Sequence, residues 1–497
     1  MTFLSILYGL FLLSVLGLYW SVEGRSLRLL VLLVASLVFY SSLQIQYVLL
    51  LLAMTFITYQ IGVALSAPLD WRIEDKDWQF AQQAWNRRRL KVLVLGISLN
   101  VGLLVGFKYI PFLVASFGGI VLPDPQASAD AIASRLIAPL GISFFTFECI
   151  AYLVDVYRGA PATFDFLKFS AYKLFFPKLI SGPITRFHPF AAQFQEQHFP
   201  KTHQIIEGLW LIASGAVKKL LLADHLGTLV NLSFSNLQRA GSGDLWLATF
   251  AYGLQLYFDF SGYVDVARGT ATLLGFDLPQ NFNFPYLTAN IADFWRRWHM
   301  TLGDWLRNYL YFPLGGSRQG LARTCLNLLI VMLIAGIWHG AAWGFVVWGI
   351  LHGLFLVVHR LNHAIATQLT AVAAFWASIP GVVLAWFITQ FAVFFAWIFF
   401  RLPDLKDSWL VVQRLWGHPA DVQFTQKVYV ETLQMDRLHI ALLLWGVVGL
   451  MAIAYLVQRH FKLQLNWTLK ILLVPVCLYA AWMLAPNESP PYIYFDF

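Results

Sequence analysis

The run Cys325-Leu326-Asn327-Leu328-Leu329-Ile330-Val331-Met332-Leu333-Ile334-Ala335-Gly336-Ile337-Trp338-His339-Gly340 is an almost unbroken apolar segment that ends in a histidine. About 20 apolar residues cross the hydrocarbon core of a bilayer, so the segment near 322–338 reads as a membrane span with an imidazole at its end. An ionisable group in such a place is expensive, which makes it a functional candidate in need of a partner and a reason. About forty residues upstream, Phe294-Trp295-Arg296-Arg297-Trp298-His299 sets a second histidine among arginines and tryptophans.

Working outward, the 497 residues are 59% hydrophobic and 12% charged, with a mean hydropathy of +0.64. Soluble chains carry about 25% charged residues, so the composition predicts an all-α, polytopic integral membrane protein. A net charge of +8 does not point to nucleic acid, because the basic residues are scattered between apolar runs as cytoplasmic-loop charges are. Cys149, Cys325 and Cys477 have no paired ligand spacing, which argues against disulfide staples and against a metal site. Residues 2–20 lack the basic start and the cleavage site of a signal peptide and read as a retained first span.

Candidate spans lie near 3–20, 27–42, 45–65, 92–115, 137–157, 205–222, 245–271, 322–338, 343–361, 372–400, 440–457 and 468–486. They amount to about 11–12 transmembrane helices in a single domain, 1–497, whose motif-rich core is about 140–355. Arg72, Lys76, Arg87, Arg88, Arg89 and Lys91 place residues 66–91 in the cytoplasm, and 116–136, with Arg135 alone, outside. The N-terminus then lies outside, while Arg158, Lys168, Lys173, Lys178 and Arg186 fall inside. Lys218-Lys219 break the pattern, so the sixth span is expected to be re-entrant. The largest outer segment is about 401–438. Prolines 177, 183 and 189, and 279, 285 and 313, interrupt residues 168–190 and 277–320. Such backbone survives at membrane depth only where protein or a water-filled cavity satisfies it, so both segments are expected to be cavity walls.

Several polar residues stand out. Asp259 and Asp265 sit six residues apart in one expected span, about 120° apart around a helix, and call for separate partners, either arginines that fix packing or a substrate. Between Asp293 and Arg307, the guanidinium forks of Arg296 and Arg297 suit phosphate and the face of Trp298 suits a flat ring. The same residues equally suit an interfacial helix. His339 is either a satisfied structural histidine or a general base, since an imidazole titrates near neutrality. Haem ligation by His339 and His352 is a remote third reading.

Tyr257 to Asp265, Phe294 to His299, Tyr309-Leu310-Tyr311-Phe312-Pro313-Leu314-Gly315-Gly316 and Ile337-Trp338-His339-Gly340 together resemble the membrane-bound O-acyltransferase family. The branch they resemble contains bacterial members that serve alginate O-acetylation and teichoic-acid D-alanylation. The resemblance implies broken or re-entrant segments forming a central funnel or tunnel, with His339 as the catalytic histidine and His299 as the second histidine. It implies no bound cofactor, and a cytoplasmic thioester donor, acyl-CoA (acetyl-CoA above all) or an acyl carrier protein, with Arg296, Arg297, Trp298, Asp259 and Asp265 as donor- or substrate-binding candidates.

The tail 487–497 is similar to the aromatic ending of this branch, and alternation of the spans puts it outside together with Glu488 and Asp496. Tyr494 is then either a transient acyl acceptor or an aromatic anchor at the bilayer edge. The expected function is O-acylation, with acetyl preferred, of an extracytoplasmic polysaccharide through a separate extracytoplasmic O-acyltransferase, from the bacterial cytoplasmic (inner) membrane. D-alanyl transfer to teichoic acid is the alternative, and a transporter is the remote one.

Overall fold

The computed structural model describes residues 3–68, 75–195, 198–463, 465–486 and 490–495. Thr2, Arg72, Glu488 and Asp496, which fall within segments named above, lie outside the described residues, as does the side chain of Lys76. All regular structure among the described residues is helical. Arg25–Leu65, Gln79–Ile120, Gly320–His339, Trp343–Ala366, Ile379–Arg401 and Arg437–Arg459 are long and apolar enough to cross a membrane, and Ile6–Ser21 and Trp467–Met483 are apolar but shorter. Arg25–Leu65 contains two of the expected spans, divided by the tight turn Ile45–Tyr47. On Arg437–Arg459 the side chains of Leu438, Leu442, Leu450 and Ile453 are exposed. An apolar surface of that kind is stable in lipid rather than in water, and the protein is integral to a membrane.

The chain groups into two compact units, the first made of Met1–Gly208, Ala267–Pro279 and Tyr494–Phe497, the second of Leu209–Val266 and Gln280–Ile493. In the first unit, Ile142–Tyr157 is buried around nearly its whole circumference. Gly62 lets the helix Val48–Leu65 approach it, because a Cβ there would lie 2.5 Å from Tyr152 Cε1. Its start needs Gly141, whose φ of 76° is left-handed and whose absent Cβ would meet Leu179 O at 2.7 Å. Phe145, Cys149, Tyr40, Leu51, Met54, Leu174 and Leu179 form the core here.

Glu148 lies in that buried helix, and Lys173 and Lys178 converge on it at 3.2 and 2.6 Å. These two lysines are therefore buried counter-ions of Glu148 rather than free loop charges. Segment 168–190 is organised around this cluster as Phe166–Lys173, a run of turns, and Phe187–Ala192.

In the second unit, Gly320–His339 and Trp343–Ala366 form a helical hairpin. Gly336 and Gly349 face each other, and a Cβ on Gly349 would meet Met332 O at 2.5 Å and Gly336 Cα at 3.2 Å. Small residues at such a crossing let two backbones pack directly, which is how helices associate where lipid removes the hydrophobic drive. Lys218 and Lys219 lie in a π-helical turn, Val217–Ala223, between Thr202–Ala216 and Asp224–Phe234. Their exception to the charge rule has a direct cause, since Lys218 pairs with Asp265 and Lys219 with Asp259 and Asp224. The two acids thus have separate partners, and those partners are lysines rather than arginines.

Candidate active site

His339 is the last residue of Gly320–His339 and is 2% exposed. Its ring lies edge-on to three others: Trp338 at 4.9 Å, Trp348 at 5.1 Å and Phe400 at 5.1 Å. Gly340 follows because any Cβ there would overlap the Phe345 ring, so the helix stops and the chain turns directly into Trp343–Ala366.

His299 arrives by a different device. The irregular stretch 280–284 hydrogen-bonds alongside residues 297–301: Asn283 N donates to Arg297 O and Met300 N to Asn281 O, both at 3.0 Å. The Asn281 side-chain oxygen accepts from Thr301 N at 2.9 Å and from Thr301 Oγ1 at 2.8 Å. At this corner His299 takes φ 45° and ψ 54°, the left-handed region that residues with a Cβ enter at a cost. Its ring is 1% exposed and packs against Phe260 at 4.8 Å and Trp338 at 6.3 Å. Trp338 therefore touches both histidines, and the structure brings the two into one aromatic interior.

Strain of this kind persists where surrounding structure over-determines it, and it collects at functional sites. The His299→Ala protein is expected to lose activity and to be about 1 kcal/mol less stable than His299→Gly, because only glycine relieves the left-handed backbone. Thermal unfolding of the two purified variants in detergent measures the difference. Equal stability would show that the corner carries no strain.

The other candidates are placed less uniformly. Trp298 is buried, with ring contacts to Phe294 at 5.6 Å, Phe282 at 5.1 Å and Trp397 at 5.1 Å. Its ring is thus enclosed by other aromatic side chains. Arg296 is exposed and pairs with Asp293 at 3.0 Å. Arg297 lies 5.8 Å from the Tyr455 ring and keeps a buried Nη1 with no hydrogen bond among the described residues. The Asp259 and Asp265 carboxylates are engaged by Lys219 and Lys218. Tyr494, in the first unit, is 2% exposed and its carbonyl accepts from Ser181 Oγ at 3.0 Å, so its ring is interior and not an anchor at a bilayer edge.

Sequence reasoning passes over Asn281, Phe260 and Phe400 as site residues, and it brings in His352 only beside His339 in the remote haem reading. His352 is fully buried, and the Trp348 ring stands between it and His339, at 4.8 Å from His352 and 5.1 Å from His339. Both imidazole nitrogens of His352, and the indole N–H groups of Trp348 and Trp397, make no hydrogen bond among the described residues. Buried polar groups left so cost about 1–3 kcal/mol each, and several together in one aromatic wall suit a site that receives a polar reactant.

The site thus belongs to a helical membrane protein that buries one histidine at the end of a spanning helix and a second on a strained corner beside it. Residues 34–400 match the family described as MBOAT, membrane-bound O-acyltransferase family, and the chain belongs to that family. It is an O-acyltransferase, and the transporter reading gives way to that membership.

Among its relatives is a Pseudomonas aeruginosa protein named "Probable alginate O-acetylase AlgI", 37% identical over 461 residues that cover 92% of this chain and 80% of that one. The Helicobacter pylori peptidoglycan O-acetyltransferase is 34% identical over 78% of this chain and 73% of its own. The Streptococcus thermophilus teichoic acid D-alanyltransferase is 29% identical over 44% of this chain and 56% of its own.

Proposed function

We propose that this O-acyltransferase moves an acetyl group from a cytoplasmic thioester toward an extracytoplasmic polysaccharide, acting in the bacterial cytoplasmic membrane beside a separate extracytoplasmic transferase. The observation that carries the chemistry is His339, a buried imidazole at the end of a spanning helix, joined to His299 through Trp338. The acetyl preference is supported by the two relatives named for O-acetyl transfer, which align along 92% and 78% of the chain, against 44% for the D-alanyltransferase.

In the proposed reaction a His339 ring nitrogen takes the proton of an acceptor hydroxyl. The freed oxygen attacks the thioester carbonyl, an ester C–O bond forms, the C–S bond breaks, and the thiol leaves with the proton returned from His339. His299 positions the reacting groups. The donor is acetyl-CoA or an acyl carrier protein, with Arg296 and Arg297 offered to its phosphate. Tyr494 remains a candidate way-station for the acyl group.

Sealed vesicles prepared from native bacterial envelopes, which carry the chain together with its extracytoplasmic transferase and polysaccharide, are expected to consume radiolabelled acetyl-CoA given on the cytoplasmic side and to yield base-labile label in polysaccharide. Label offered on acyl carrier protein separates the two donors, and carrier-borne labelled D-alanine tests the aminoacyl alternative. Thioester consumption no greater than in vesicles without the chain would overturn the proposal.

A further inference from the structure

The buried acids of the Ser242–Leu273 helix have a second set of partners. Lys219 is 3% exposed and holds Asp224 at 2.8 Å and Asp259 at 2.9 Å, so two carboxylates share one ammonium. Ile493 N–H donates to Asp259 Oδ2 at 2.9 Å, and Lys219 Nζ donates to Pro491 O at 3.3 Å. Between these two backbone contacts the Tyr492 ring lies 4.9 Å from the Lys219 ammonium and 5.2 Å, edge-on, from the Tyr263 ring. Residues 491–493 are thus read by one acceptor, one donor and one aromatic slot.

The helix that supplies this seat also supports the candidate active site. Asp259 and Tyr263 meet the tail, while the intervening Phe260 packs at 4.8 Å on His299 and at 5.1 Å on Phe282. Phe282 follows Asn281, whose side chain pins the 299–301 corner. A shift of this turn of helix on tail release would move the ring against which His299 rests.

We propose that the Asp224–Lys219–Asp259 triad is a seat for the backbone of residues 491–493, and that its occupation positions His299 through Phe260. The seat itself is independent of the function assigned above, whereas the positioning role rests on it. Asp259 and Lys219 are positioning residues in this account. They act on the reaction only through the tail and the helix that carries Phe260.

The test uses full-length protein purified in detergent, with Ile493→Cys as a reporter, since residue 493 is half-buried and keeps the backbone N–H that Asp259 accepts, and with maleimide labelling read above that of the chain without the reporter. Asp259→Leu removes the acceptor for that N–H and leaves Lys219 and Asp224 as a neutral buried pair, so no ammonium is stranded. Asp259→Asn keeps an oxygen able to accept the same N–H. Loss of a hydrogen bond to a charged group corresponds to roughly 10–100-fold in docking. The reporter thiol is therefore expected to label at least about tenfold faster in Asp259→Leu than in the Ile493→Cys parent, with Asp259→Asn close to that parent.

Acetyl transfer is expected to fall in the same order, lowest for Asp259→Leu and restored by Asp259→Asn. Equal labelling of Asp259→Leu and the parent overturns the seat. Faster labelling with unchanged transfer overturns the link to His299. If the unsubstituted chain transfers no acetyl at all, the assigned function fails while the labelling comparison still decides the seat.

Discussion

His339→Ala protein is expected to transfer acetyl roughly 10²–10⁴-fold more slowly than the unsubstituted chain, the range that a positioned general base contributes. The imidazole sits at the terminus of a spanning helix, held by the Trp338, Trp348 and Phe400 rings at 4.9, 5.1 and 5.1 Å. Its rotation is restricted by those rings, and Gly340 removes the one side chain that would displace Phe345. Truncation to alanine also empties ring volume, so His339→Gln is the better comparison, because it fills the space and forms hydrogen bonds but accepts a proton poorly. Both variants are expected to be nearly inactive, with His339→Gln the more stable. A folded His339→Gln protein transferring label at the unsubstituted rate in the vesicle assay would remove His339 from the chemistry.

How much of this is legible in the sequence varies with the kind of interaction. His339 stands out because it is polar at the end of an apolar run and His299 because it closes an Arg-Trp cluster, and both lie in short ordered motifs. Lys173 and Lys178 read as cytoplasmic charges because the positive-inside rule counts lysines near span ends and is blind to a counter-ion. Glu148, alone in the apolar run 142–153, is the signal that redirects them. Lys219 and Asp259 are forty residues apart on different helices, and no local periodicity joins such a pair. Trp298 offers a ring to a donor on paper, but which face of a short helix turns inward depends on the irregular stretch 280–284 bonded beside it. Among the described residues six segments are long and apolar enough to cross a membrane, Arg25–Leu65 holding two of the expected spans; Ile142–Tyr157 is too short to stand out in this way, and the long Ser242–Leu273 carries Asp244, Asp259 and Asp265.

The buried cluster around Glu148 carries the largest expected stability effect. Glu148 Oε1 accepts from Lys178 Nζ at 2.6 Å and from Thr185 N and Oγ1 at 3.0 and 2.9 Å, and Oε2 accepts from Lys173 Nζ at 3.2 Å. Lys173 also donates to Phe145 O at 3.0 Å and lies 4.2 Å from the Phe145 ring, and Lys178 lies 4.4 Å from the Tyr172 ring. One carboxylate thus balances two buried ammonium groups, with carbonyl and aromatic faces taking up the excess. Glu148→Gln deletes the carboxylate that both lysines share and turns an amide donor toward one of them. The expected cost is about 3–5 kcal/mol, the range for breaking a buried pair by removing one partner. Lys178→Met does the opposite, since it leaves Glu148 and Lys173 as a neutral pair, and a smaller loss is expected. Combining the two is expected to recover part of the Glu148→Gln loss, because contacting charges are not additive. Heat-inactivation rates of the three variants in detergent, read as the surviving monodisperse fraction, make the comparison without assuming reversible unfolding. A Glu148→Gln protein no less durable than Lys178→Met would mean that the lysines are not held as charges, and that the carboxylate is not what organises segment 168–190.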